Sequence, residues 1–146
     1  MNADEYIQTR LDDQIAWYDR KSQHNQRWFK RLRMAEFSFA ALIPFVAGFG
    51  EFAHATLLVA LLGVGIAIIS ASLGLYQFEK HWIDYRTTCE SLRKERLLYL
   101  TGSEPYERSP PERFRLLVQR VEGLVSKENT DWSQHLKTTA AEQSQD

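Results

Sequence analysis

Charge is almost absent from the middle of this sequence, because between residues 37 and 78 Glu51 is the only Asp, Glu, Lys or Arg. The flanking segments are densely charged, yet the net charge of the whole chain is only -1. A nucleic-acid-binding protein carries a basic excess on one face, so the near-zero charge argues against nucleic acid as a partner. The single cysteine, Cys89, excludes an internal disulfide and a cysteine-rich metal site.

Catalytic and cofactor-binding motifs are missing as well. The sequence has no nucleotide-binding glycine loop, no nucleophile elbow and no pair of histidines at metal-binding spacing. Its carboxylates alternate with basic residues, as is typical of solvated helical faces. We therefore expect no enzyme activity, no cofactor and no metal site.

Two long uncharged runs remain, residues 37–50 and 52–78. As a helix with ~1.5 Å rise per residue, the second run is about 40 Å long, enough to cross a ~30 Å hydrocarbon core with some tilt. The first run spans only if its helix begins near Arg31 or Arg33, whose long side chains reach the interface. A soluble domain of this length has too little other apolar surface to cover the second helix.

The two runs predict a transmembrane hairpin with spans at about 33–50 and 53–78, because Gly48 and Gly50 fit a tight turn between them. Seven Lys and Arg residues precede the first run, none lies in the turn, and eleven follow the second. Since positively charged flanks stay inside, both ends of the chain are expected in the cytoplasm. Membrane lipid is then the first expected partner.

The charged flanks show helical periodicity. Apolar residues at helical spacing predict cytoplasmic helices at about 4–32, 79–101 and 110–128, the last of them short and amphipathic. We expect the two longer arms to extend the hairpin and the short helix to pack on them. The fold class is thus all-α, with one domain over residues 4–132. Residues 133–146 are polar and aperiodic, which predicts a disordered tail.

Small or polar residues recur along the second span at alternating spacings of four and three. This small-residue stripe, which heptad spacing places on one helix face, consists of Thr56, Ala60, Gly63, Ala67, Ser70, Gly74 and Gln77. It is either a packing surface, where small residues let helix backbones approach closely, or the lining of a water-filled pore in an oligomer. The sequence leaves both interpretations open.

Two residues of the first span are further candidates. Pro44 removes one backbone hydrogen bond, and it either fits the shape of the helix or acts as a hinge for gating. Glu36 lies just inside the predicted interface and is a functional candidate, because charge within a membrane is costly. Its expected partner is Arg33 or a basic residue of the second helix such as Lys80.

Several segments of the sequence carry a family resemblance, namely DQIAWYDRKS at 13–22, AALIP at 40–44, WIDYR at 82–86, ESL at 90–92 with Glu95, and VE at 121–122 with Glu128 and Trp132. They resemble a bacterial family of proteins of unknown function, number 4231, which belongs to the SLATT superfamily of two-transmembrane domains. The resemblance covers residues 4–132, nearly the whole chain.

The resemblance implies an oligomeric effector that forms a pore in the bacterial inner membrane, in a conflict or nucleotide-signalling system. It also implies a nucleotide-generating enzyme or a sensor protein as partner, although neither is recognisable within this sequence. The alternative function is a non-conducting membrane scaffold whose cytoplasmic helices recruit a partner. On the effector hypothesis, the coupling region, whose alternative role is ordinary helix packing, consists of Glu36, Trp82, Tyr85, Arg86, Glu90 and Glu95.

Overall fold

The computed structural model describes residues 2–49 and 54–143, with side chains up to residue 127 and at residue 130. Every regular element within these residues is helical, which confirms the predicted all-α class. The elements in chain order are a short α1 (Ala3–Tyr6), one π-helical turn (Ile7–Leu11), α2 (Asp12–Phe49), α3 (Ala55–Tyr76), α4 (Phe78–Thr101) and α5 (Pro110–Gln143).

Local signals explain where several helices begin and end. Asn2 caps α1, because its side-chain oxygen accepts the Glu5 N–H at 2.8 Å. Further along the chain, α4 ends at Thr101 and is followed by Gly102, which adopts φ +64°. The Ser103 N–H then donates to the Leu98 carbonyl at 3.1 Å, as is usual after a glycine that ends a helix.

Two boundaries differ from the sequence prediction. A single residue, Gln77, interrupts the helix between α3 and α4 with φ 45° and ψ 42°. In addition, α5 continues to Gln143, past the expected end near residue 128. No glycine or proline follows Gly123, and helix-forming Ala, Glu, Gln, Lys and Leu are frequent there. The turn expected at residues 48–50 falls partly on 50–53, which lie outside the described residues, as do residues 144–146 of the expected tail.

The chain forms two compact units, of which the hairpin unit comprises residues 22–83. Within it α2 and α3 are antiparallel, because Glu36 bonds to Ser70 whereas Phe39, further along α2, faces Gly65, further back on α3. Partly shielded residues recur at heptad spacing on both helices, namely Leu32, Phe39, Ile43 and Val46 on α2 and Val59, Leu62, Ile66, Ile69 and Leu73 on α3. The two apolar helices therefore pack along their length.

None of the described residues of the hairpin unit belongs to the buried apolar core. On the contrary, the unit exposes large apolar side chains, among them Phe49 and Leu75 at 77% and Phe37 at 63%. Contiguous apolar surface of this kind is rare on water-soluble monomers. The outer faces of α2 and α3 are therefore suited to contact with lipid.

The second unit, the bundle unit, comprises the residues up to 21 and from 84 onward. It holds every buried apolar residue in the part of the chain whose side chains are described, namely Tyr6, Ile7, Leu11, Tyr18, Cys89, Leu92, Tyr99, Tyr106, Leu117 and Val121. The apolar faces predicted for the arms and for the amphipathic helix supply most of these residues. Arg93 adds an ion pair with Asp19 at 3.3 Å between α4 and α2.

Candidate functional site

Apart from Ser70, whose hydroxyl bonds to Glu36, the small-residue stripe lies outside the contact between α2 and α3. All seven of its residues are exposed, whereas the shielded heptad of α3 lies one position earlier at each step. A Cβ atom added at Gly63 or Gly74 would meet nothing within 4 Å, so these glycines provide no close approach within the chain. A packing role or a pore-lining role for the stripe would therefore require another molecule.

The glycine that brings α2 and α3 together is Gly65, which sequence analysis did not single out. A Cβ atom at this position would lie 2.9 Å from Cε2 of Phe39, closer than side chains tolerate. The signal in the sequence is weak, because Gly63 and Gly65 are separated by one residue and only their helix face distinguishes them. Gly65 lies on the shielded face and Gly63 on the exposed stripe.

Glu36 links α2 to the stripe. Its carboxylate accepts a hydrogen bond from the Ser70 hydroxyl. It also forms an ion pair with the Arg33 guanidinium at 2.8 Å. Arg33 is one of the two partners expected from the sequence. The ion pair neutralises the charge of the carboxylate.

Pro44 lies within an uninterrupted α2. Its ring nitrogen has no hydrogen to donate, so the carbonyl one turn earlier loses its helical partner without ending the helix. A hinge role for Pro44 stays a prediction, and the interruption in the helical hairpin is instead at Gln77.

Trp82 and Tyr85, both predicted for the coupling region, occupy packed positions. In the hairpin unit, the Ser22 hydroxyl donates to the Trp82 carbonyl at 3.3 Å. The indole Nε1 of Trp82 is buried and has no hydrogen-bond partner among the described residues. In the bundle unit, the Tyr85 ring lies 5.8 Å from the ring of Trp17 and 6.1 Å from that of Tyr18.

The other two polar candidates on this stretch of α4 are at the surface. Arg86 is exposed, and Glu90 forms an ion pair with Arg93 at 3.2 Å on the same helix. Exposed pairs of this kind contribute well under about 1 kcal/mol to stability. Their contacts give no sign of a shared site with Trp82 or Tyr85.

Glu95 is the centre of a buried polar cluster, the Glu95 cluster, with Arg120 and Tyr106. Arg120 donates to both carboxylate oxygens at 2.7 and 2.8 Å, and the Tyr106 hydroxyl donates at 2.5 Å. Burial alone would raise the pKa of Glu95, but these hydrogen bonds outweigh it and lower the pKa below the ordinary value. Burial and the adjacent carboxylate raise the pKa of Tyr106. The cluster fastens α5 to α4.

A second polar cluster, the Glu122 cluster, fastens α5 to the beginning of the chain and was not predicted. Arg10 donates to both oxygens of Glu122 at 3.1 Å, and the Tyr6 hydroxyl donates at 3.1 Å. The hydrogen bond from Arg10 lowers the pKa of Glu122, although burial opposes it. Its residues are more than a hundred positions apart, so no local pattern could reveal the pairing.

Metal and thiol chemistry find no support in the part of the chain that the structure describes. No group of three or more His, Cys, Asp or Glu residues there could hold a metal ion. Cys89 is 2% exposed, its thiol donates to the Ile15 carbonyl at 3.6 Å, and burial raises its pKa. A buried, protonated thiol is a core residue rather than a nucleophile.

The fold defines a helical protein with two stretches able to cross a membrane. The helical stretches Ala3–Phe49 and Ala55–Thr101 each contain an 18-residue window of sufficient length and hydropathy, and none of either window is buried inside the chain. A core helix of a soluble protein would have most of such a window buried.

The chain belongs to the family described as protein of unknown function DUF4231, which it matches over residues 13–113. No curated protein and no solved structure matches the chain. The family match includes the hairpin unit and Glu95, but it ends near the beginning of α5. Arg120, which belongs to the Glu95 cluster, and Glu122, the centre of the Glu122 cluster, therefore lie outside the matched residues.

Proposed function

We propose that the protein is an oligomeric pore-forming effector of the bacterial inner membrane, of the SLATT type, acting in a conflict or nucleotide-signalling system. The observation that carries this proposal is that all seven stripe residues are exposed, whereas the neighbouring apolar face of α3, which packs on α2, is shielded. A lone hairpin would leave Thr56 and the backbone of the stripe glycines facing lipid. A ring of hairpins instead turns the stripe toward neighbouring copies or toward water.

The proposed orientation has both ends of the chain in the cytoplasm. It is supported by the seven basic residues before position 37 and the eleven after position 78, with none between the two apolar runs. The bundle unit then lies in the cytoplasm. It holds the oligomer together and receives a signal from a nucleotide-generating enzyme or a sensor.

Release of a self-quenching dye from proteoliposomes tests the proposal. We expect the wild-type oligomer to release the dye and Gly63→Leu to suppress release, because a large side chain obstructs the stripe. The matched control is Gly48→Leu, which makes the same substitution on α2, outside the stripe, at a position where an added Cβ atom also meets nothing within 4 Å. Vesicles that stay tight at high protein load, with and without candidate nucleotides, would contradict a pore. Co-purification of one fixed partner in that case would favour the scaffold.

Thiol accessibility separates a pore lining from a packing surface. Single cysteines at Thr56, Ala67 and Gly74, in a Cys89→Ala background, are treated with a water-soluble thiol reagent in conducting proteoliposomes. A water-filled pore predicts modification at all three positions and protection at Leu57, which faces lipid. Uniform protection of the stripe in a conducting preparation would show that the stripe only packs.

A further inference from the structure

The interruption between α3 and α4 is one residue long and conformationally strained. Gln77 has φ 45° and ψ 42°, in the left-handed region that favours glycine. It is the only residue other than glycine with positive φ in the part of the chain that the structure describes. Its carbonyl still accepts the His81 N–H at 3.1 Å, so α4 begins directly after it. A left-handed glutamine persists only where the surrounding packing compensates for it.

The heptad phase of the two helices explains why the interruption exists. The shielded residues of α3 are Val59, Leu62, Ile66, Ile69 and Leu73, and the same spacing would continue to positions 76, 80 and 83. The shielded residues of α4 are instead Phe78, Trp82, Tyr85, Cys89 and Leu92. The two patterns differ by two residues, or about 200° at 3.6 residues per turn.

An unbroken helix would therefore turn a different face of α3 toward α2. Continued backward from Phe78, the pattern of α4 passes through Leu75, Ala71, Ile68, Val64, Leu61 and Leu57, all of which are exposed. Both faces of α3 are apolar, so either one can pack against α2. The left-handed residue at 77 selects the face that carries Gly65.

We propose that Gln77 is a strained joint that holds α3 in one of two rotational positions against α2. When Gln77 relaxes into a right-handed helical conformation, α3 turns about its axis and Val64 and Ile68 replace Gly65 and Ile69 at the contact. The small-residue stripe then moves from one flank of the hairpin to the other. The two positions of α3 are a property of the hairpin and do not depend on the proposed pore. Only their consequence, gating of the pore, rests on the proposed function.

Cysteine cross-linking measures the two positions directly, with a short bifunctional thiol reagent on the membrane-embedded full chain in a Cys89→Ala background. The pair Phe39→Cys with Gly65→Cys reports the position seen in the structure, and removal of the Phe39 ring makes room for the new Cβ. The pair Phe39→Cys with Val64→Cys reports the rotated position. The measured quantity is the ratio of the two cross-linking yields.

Substitutions at the joint should shift this ratio in opposite directions. Gln77→Gly removes the strain and raises the ratio in favour of the 65 pair, by roughly 5- to 30-fold if the full left-handed penalty is relieved. Gln77→Val, whose β-branched side chain is disfavoured with positive φ, lowers the ratio. The matched controls Glu79→Gly and Glu79→Val change an exposed residue of right-handed helix that lies on neither face of α3, and they should leave the ratio near the wild-type value.

Equal ratios in the Gly, Gln and Val forms would overturn the proposal, as would a shift of the same size in the Glu79 variants. If Gln77→Val fails to insert, the comparison of Gln77→Gly with wild type decides the question alone. Failure of dye release with an intact shift in the cross-linking ratio would refute the pore and leave the joint. The reverse result would refute the joint and leave the pore.

Discussion

Removal of the Arg120 side chain should release α5 from α4. In Arg120→Ala, the Glu95 carboxylate keeps only the Tyr106 hydroxyl and stays at a site that is 6% exposed. Two charge-assisted hydrogen bonds of 2.7 and 2.8 Å are lost. A buried charge without its partner is strongly destabilising, because it has neither water nor a counter-charge.

The magnitude follows from the exposure of the two partners. Loss of one partner of a fully buried pair costs about 3–5 kcal/mol. The Arg120 side chain is 46% exposed, so water can replace part of the lost contact. We therefore expect a loss of about 2–3 kcal/mol in the free energy of α5 docking, from two hydrogen bonds to a charged group.

Hydrogen–deuterium exchange of the protein in lipid nanodiscs measures this loss in α5 itself. Amides near Leu117 and Val121, which have no exposed surface, should exchange about 30- to 150-fold faster in Arg120→Ala if α5 opens locally. The control is Arg115→Ala, which removes an exposed arginine from the same helix. Exchange that is equal in the two variants would refute the inference that the Glu95 cluster fastens α5.

Three further predictions concern the clusters and the hairpin. The pKa values of Glu95 and Glu122 are lowered in the folded state, so both carboxylates stabilise α5 docking at neutral pH and lose this effect as the pH falls through their folded-state pKa values. After correction for the intrinsic pH dependence of amide exchange, the protection of α5 amides should be constant between pH 6 and pH 8 and should fall below about pH 4.5, whereas constant protection at acidic pH would contradict the linkage. Gly65→Val should lower the melting temperature in detergent, because overpacking against Phe39 costs about 1–3 kcal/mol. Adding Phe39→Leu should restore part of the lost stability. An unchanged melting temperature in Gly65→Val would contradict the close approach of α2 and α3 at Gly65. Ser22→Val should destabilise by about 1 kcal/mol in chemical denaturation, because a buried hydroxyl loses its bond to the α4 backbone, and a stabilised variant would count against that bond.

The elements that the sequence predicted well are those with strong contrast between apolar and polar faces. The spans are uncharged for many turns, and the arms place Leu11, Tyr18, Cys89 and Leu92 at regular helical spacing. Burial follows such periodicity directly, because one face of each helix must avoid water. The hairpin, the arms and the core position of Cys89 could therefore be derived without coordinates.

The sequence did not reveal features that depend on distant neighbours or on one dihedral angle. Gln77 is no typical left-handed residue, and only a comparison of the α3 and α4 heptad phases points to it. Glu95 was selected as a candidate, but its partner Arg120 is 25 positions away, with a loop between them. The contact of Gly65 with Phe39 could not be predicted for the same reason, because the two residues lie far apart in the sequence.

The central claim, that the exposed apolar faces of α2 and α3 meet lipid, is tested most directly by fractionation of cells that produce the full chain. Membranes are collected by ultracentrifugation without detergent and washed with alkaline carbonate, which strips peripheral proteins. The account predicts that the chain stays in the washed membrane pellet and is released by detergent. A monodisperse chain in the detergent-free supernatant would contradict it.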